Sequence, residues 1–149
     1  MSINFETKLN DLHADIISIS MEYCNHQCDE AFVHVIYESD VLFVDFFFRI
    51  NGEMRRKSRL SDDGKTVDAK RQQKTLSIII DDVRNIISLL KSHGRPIPTE
   101  MRLVLNNKTN AFTADYCYDE TICTTSTDRT VSDEWFNQLK TFNHKNAEE

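Results

Sequence analysis

"VLFVDFFFRINGEMRRKSRL", residues 41–60, decides the fold. Leu42, Val44, Phe46, Phe48 and Ile50 alternate there with Val41, Phe43, Asp45, Phe47 and Arg49. Successive side chains of a strand point to opposite faces, so one face is wholly apolar and the other only partly. That pattern predicts a central strand with a helix packed on its better face. Asn51-Gly52 follows at once, the signature of a two-residue hairpin turn. The chain then returns antiparallel through "EMRRKSRL" (53–60), where Arg55, Lys57 and Arg59 share one face. An edge strand kept soluble by charge accounts for that strip. An RNA- or phosphate-binding strip would account for it too, but no aromatics are interleaved with the cations.

The neighbouring segments fit around this hairpin. "AFVHVIYE" (31–38) has the β-branched and aromatic content of another strand. Before it, Phe5, Leu9, Leu12, Ile16, Ile19 and Tyr23 recur every three or four residues, one face of an amphipathic helix. Glu6, Asp11, Asp15 and Glu22 fall largely off that face, and His13 falls on its flank. After the loop "SDDGKTVD" (61–68), residues 67–93 place Leu76, Ile79, Ile80, Val83, Ile86, Ile87 and Leu90 in an arc of roughly 120°. Gly94 ends this long helix, and Pro96 and Pro98 prevent its resumption.

"MRLVLNNKTNAFTADYCYDE" (101–120) reads as a second hairpin. Met101, Leu103 and Leu105 face the core from one strand, and Phe112, Ala114, Tyr116 and Tyr118 from the other. Asp115 and Asp119 then point to the opposite face. Ser132 reads as the N-cap of a last helix, with Asp133 and Glu134 in its first turn and Trp135, Leu139 and Phe142 gripping the body. The expected order is α-β-β-β-α-β-β-α. Residues 1–149 form a single α+β domain, with a mostly antiparallel sheet of about five strands, a long helix and two flanking helices.

Charge is unevenly spread. Residues 1–48 hold one Lys against nine acids, whereas 49–74 hold nine Lys or Arg against four acids. The net charge of −6 disfavours nucleic acid and favours a basic partner. No stretch is long enough to span a membrane, and the N-terminus lacks the pattern of an export signal, so a cytoplasmic protein is expected. Four cysteines are too few and too oddly spaced for a disulfide scaffold. Cys24, His26 and Cys28 bring three soft ligands close together, but no second such cluster completes a zinc site.

The sequence contains no glycine-rich phosphate loop, HExxH or GxSxG motif. Asp115 and Asp119 are the best acid–base candidates, with Glu120 beside them. Four residues along a strand is about 13 Å at ~3.3 Å per residue, wider than the ~5–9.5 Å that two-carboxylate mechanisms need. Three readings stay open. Asp115 and Asp119 can be plain solvent-facing residues of the strand, with Tyr116 and Tyr118 in the core. A small hydrolase or metal-dependent enzyme would use these acids or the Cys24/His26/Cys28 cluster. A binding protein would offer them to a basic partner, since carboxylates beside tyrosines mimic phosphates and bases.

One further pattern bears on the choice. The long helix runs through Gly94 to Thr99, then to the strand of Met101, Leu103 and Leu105, and closes on Phe112, Asp115, Tyr116, Tyr118 and Asp119. This arrangement, over residues 76–120, resembles the YezG-like immunity proteins, antitoxins that neutralise nuclease domains of secreted bacterial toxins. Pro98 stands where that family usually has Trp, and the turn "NNKTNA" is longer and lacks Gly. The resemblance implies a stoichiometric inhibitor with no catalytic residues, cofactor or metal. Its partner would be a cognate toxin domain, with neither nucleic acid nor membrane contacted directly. Asp115 and Asp119 carry over as motif residues. With Glu120 they are the expected charged contacts, while Tyr116 and Tyr118 are assigned to the core.

Overall fold

The computed structural model describes residues 4–61, 63–118 and 128–148. Asp119, Glu120 and Cys123 lie outside the described residues, as does the side chain of Phe142. The elements are α1 (Phe5–Tyr23), β1 (Glu30–Glu38), β2 (Val41–Ile50), β3 (Glu53–Arg56), α2 (Ala69–Ser92), β4 (Glu100–Asn106), β5 (Phe112–Cys117) and α3 (Asp128–Glu148). They form one antiparallel sheet in the order β3-β2-β1-β4-β5, so the fold is α+β with the expected element order.

Turn chemistry sets the meander. Asn51 (φ 51°) and Gly52 (φ 81°) both adopt the left-handed conformation, which suits a two-residue hairpin turn to the twist of its strands. Ser39 (φ 52°) and Asp40 (φ 62°) do the same between β1 and β2 without a glycine, a strained arrangement for side chains with a Cβ. Both long elements begin and end on recognisable chemistry. Asn4 caps α1 by accepting from Thr7 N at 2.9 Å, and Asp68 caps α2. At the end of α2, Arg95 N donates to Leu90 O and Gly94 N to Lys91 O, with Gly94 at φ 63°. That pair of bonds satisfies helix carbonyls that would otherwise lack donors.

The sheet has a helix layer on each side. On one face Ala31, Val33, Val35, Phe46, Phe48, Met101 and Leu103 meet Ile16, Met21 and Tyr23 of α1 and the Ile79–Leu90 stripe of α2. The arc expected of α2 is in this cluster throughout, with Leu76 and Ile80 at its margin. On the opposite face Phe32 and Phe47 pack against Trp135 and Phe136 of α3. Between α1 and α2, Asp82 is half-buried beside Asp15; burial, then that neighbouring carboxyl, raises Asp82 to about 7.

Four expectations change. α3 starts at Asp128, four residues before the expected cap, and Ser132 lies inside the helix, fully buried. Packing overrides the local preference of Ser for helix starts. His13 is buried, because Tyr116 of β5 reaches it with a 2.7 Å hydrogen bond to Nε2. Phe112 is 37% exposed because β5 is the sheet's edge, and Tyr118, just past the end of β5, is 49% exposed. The strand carrying Arg55 ends at Arg56, so Lys57 and Arg59 do not continue its alternation.

Candidate partner-binding surface

Strand register writes the α3 side of the sheet as rows of side chains. Asp45 pairs with His34, His34 with Arg102, and Arg102 with Asp115, so four strands contribute one polar row. One row along, Phe47, Phe32, Val104 and Thr113 stand side by side, and beyond them come Arg49, Glu30 and Asn106. An apolar row thus lies between two polar ones, and α3 is laid over it.

The polar row is tied together at one end and free at the other. His34 is fully buried with Nε2 2.6 Å from Glu100 Oε2, and Arg102 Nε donates to the same oxygen at 2.9 Å. Burial acts to raise the Glu100 carboxyl, but the His34 and Arg102 hydrogen bonds and the Arg102 charge outweigh it and hold its pKa below the usual value. An ionised carboxylate has no proton to give, so His34 Nε2 is the donor. The Trp135 ring closes over both groups, 4.8 Å from the His34 ring and 4.9 Å from the Arg102 guanidinium carbon. At the inner end Lys57 Nζ meets Asp45 Oδ1 at 2.6 Å. At the outer end Asp115 is exposed.

Next to Asp115 the sheet is open. A cleft of about 750 Å³ lies between α3 and the β4–β5 half of this face, lined among others by Glu30, Arg49, Arg102, Lys108, Asp115 and Trp135. Arg49 is buried in its floor, donating to Glu30 and, at 3.0 Å, to Leu139 O of α3. The cleft therefore brings the exposed Asp115 carboxylate near Arg49 and Arg102, which are ion-paired within the chain, and near the exposed Lys108.

The other sequence candidates are placed less favourably for chemistry. Cys24 and Cys28 are both buried, with Met21 O accepting from Cys24 Sγ at 3.4 Å. A hydrogen bond with Cys28 draws Cys24 down to about 7, while the same bond and burial push Cys28 up. His26, between them, is exposed at φ 58°. Among the described residues no group of three or more His, Cys, Asp or Glu side chains converges as a metal ion would require. Most of the basic strip is engaged internally: Arg55 with Glu53 at 2.9 Å, Arg56 with Asp133 at 2.9 Å and over the Phe136 ring, and Lys57 with Asp45, while Arg59 is exposed. None of the described helices is long and apolar enough to cross a membrane.

The sequence reading identified Asp115 but missed the His34–Glu100–Arg102 group beneath it. A faint signal was present, since His34 and Asp45 each interrupt an otherwise apolar strand. Comparison with protein-family models matches none, and comparison with curated proteins gives no significant match.

Proposed function

We propose that this protein is an immunity protein that binds a cognate bacterial toxin one to one and neutralises it without chemistry of its own. The toxin is a basic nuclease domain, and the complex forms in the cytoplasm of the producing cell. Asp115 carries the reading. It belongs to the motif that resembles the YezG-like proteins, and it stands exposed at the open end of a charged row beside a cleft. Acids outnumber basic residues by twenty-four to eighteen, so a basic domain is attracted from a distance and oriented on approach. Asp119 and Glu120 follow Asp115 in the chain and extend the same acidic stretch.

Titration calorimetry against the nuclease toxin domain encoded beside this gene, at low and high salt with a cleavage assay alongside, tests the reading. Tight one-to-one binding that abolishes cleavage and weakens with salt is expected. A folded, active toxin that does not bind removes that pair from consideration. Turnover or stoichiometric zinc in the purified protein would replace the reading with an enzymatic one.

A further inference from the structure

We infer that the turn between α1 and β1 holds a binding site for a soft monovalent metal ion, Cu(I), with the sulfurs of Met21, Cys24 and Cys28 as its three ligands. Met21 and Cys24 stand three residues apart at the end of α1, so their side chains leave the same face of the helix. Asn25 (φ 54°) and His26 (φ 58°) then take the left-handed conformation and reverse the chain. His26 N donates to Met21 O at 2.8 Å and Gln27 N to Cys24 O at 3.0 Å, so the reversal returns Cys28 to the helix end. Asn107 of the β4–β5 turn clamps it there, its Nδ2 donating to Cys28 O at 2.8 Å.

This reversal gathers three sulfurs. Cys28 Sγ lies 3.6 Å from Met21 Sδ, and the Cys24 and Cys28 thiols are in hydrogen-bond contact. Cys24 Sγ is held against the same helical turn, 3.4 Å from Met21 O. Three sulfurs bound to one ion at about 2.3 Å in a trigonal plane stand about 4 Å from one another. The Met21–Cys28 separation therefore needs to open by only roughly 0.4 Å. The donor set names the ion. Thiolate and thioether sulfurs select Cu(I), whereas structural zinc takes four ligands and the hard cations take oxygen. His26, the one imidazole in the turn, is exposed, while Met21, Cys24 and Cys28 are only 4%, 5% and 5% exposed. Burial keeps out water, which would otherwise compete as an oxygen ligand. On binding, the cysteines give their thiol protons to solvent and bind as thiolates, and the thioether binds unchanged. Asn25, His26 and Gln27 between the ligands are exposed, so opening this turn admits the ion without disturbing the sheet. The site does not rest on the immunity reading.

Anaerobic titration of Cu(I) into the reduced full chain, in competition with the chromogenic chelator bicinchoninate, tests the assignment. One Cu(I) per chain is expected, with a thiolate-to-copper absorption band in the ultraviolet and an X-ray absorption shell of three sulfurs. Met21→Leu nearly conserves volume and should fold like the native chain. It should weaken Cu(I) binding by about tenfold or more, since even changes outside a metal's own ligands cost roughly 10–100-fold. Cys24→Ser and Cys28→Ser should each remove the band, and Cys117→Ser combined with Cys123→Ser should leave it. No Cu(I) retained against the chelator overturns the proposal, as does a band lost with Cys117 and Cys123. Native affinity in Met21→Leu, its fold checked by urea midpoint, would make the thioether mere core packing and overturn the three-sulfur site. A nitrogen in the shell, or zinc held as tightly as Cu(I), overturns it too.

Discussion

Phe46 and Phe47 are neighbours in β2, both fully buried, and they serve opposite faces of one sheet. Phe46 sits among aliphatic and aromatic side chains of α1, α2 and the strands, with the Tyr23 ring edge-on at 5.0 Å. Phe47 meets Phe32, Trp135 and Phe136, but on each side of it the surface turns ionic. There Asp45 holds Lys57, Glu100 holds His34 and Arg102, and Glu30 holds Arg49. The first face is stabilised by area removed from water, which is tolerant of direction. The second depends on buried charges that lose heavily if a partner is removed, yet gain little over an apolar replacement when intact. Its arrangement fixes where α3 lies and leaves the β4–β5 half open beside Asp115.

The sharpest break of this contrast is the phenylalanine pair. Phe46→Ala should destabilise the fold by about 3–5 kcal/mol in a urea titration. Phe47→Ala should cost less and release α3 first, seen as early amide exchange over residues 131–141. Equal costs with uniform exchange would erase the distinction between the faces.

Glu100→Ala tests the ionic face next and should cost about 1–3 kcal/mol, because donors on His34 and Arg102 lose their acceptor. Glu100→Gln, which keeps an acceptor oxygen, should cost less. The native carboxyl is held below its ordinary pKa, so the stability it contributes is complete above about 4.3 and fades as pH falls through its lower folded value. Urea midpoints of native and Glu100→Gln proteins should therefore converge in that acid range; a constant gap across it would show that Glu100 is not the group titrating.

Asp82 runs with the opposite sign. Its folded pKa of about 7 lies above the unfolded value, so the fold binds the proton more tightly and stability declines as pH rises from about 4 to 7. Asp82→Asn should flatten that decline and stabilise the fold at pH 8 by under about 1 kcal/mol, because the site is partly solvated, which a higher melting temperature would show. No gain at pH 8 would remove the α1–α2 seam as a weak point of the apolar face. The smallest effect on stability is expected of Asp115→Lys, within about 0.5 kcal/mol at an exposed position. The same change should slow association with the toxin. Unchanged association would take Asp115 out of the interface.

Much of this was legible in local pattern. The alternation of 41–50, Asn51-Gly52, the α2 stripe and the Gly94 stop are written within a few residues of each other, and each formed as expected. What escaped is what long-range pairing decides. His34 and Glu100 are 66 residues apart, and only the β1–β4 register brings them together. Phe112 matches a core pattern, but a strand's place at the sheet edge is not encoded in its own alternation. Ser132 has the chemistry of a cap and was drawn instead into a buried helical turn. Of the candidate contacts, Asp115 was found because an acid on the polar face of a strand is a local fact.

The strand order has a consequence for how the chain reaches this state. Three of the four pairings in the described sheet join strands consecutive in sequence, and the fourth, β1 with β4, spans the whole of β2, β3 and α2. Hairpins close in microseconds, whereas a distant pairing must first overcome the entropy of the loop it encloses. The β1–β4 seam is therefore expected to close more slowly than the hairpins. A chain assembled in that order covers the flank of β1 last. The same final zipper aligns His34 with Arg102, so the charged row exists only once folding is complete.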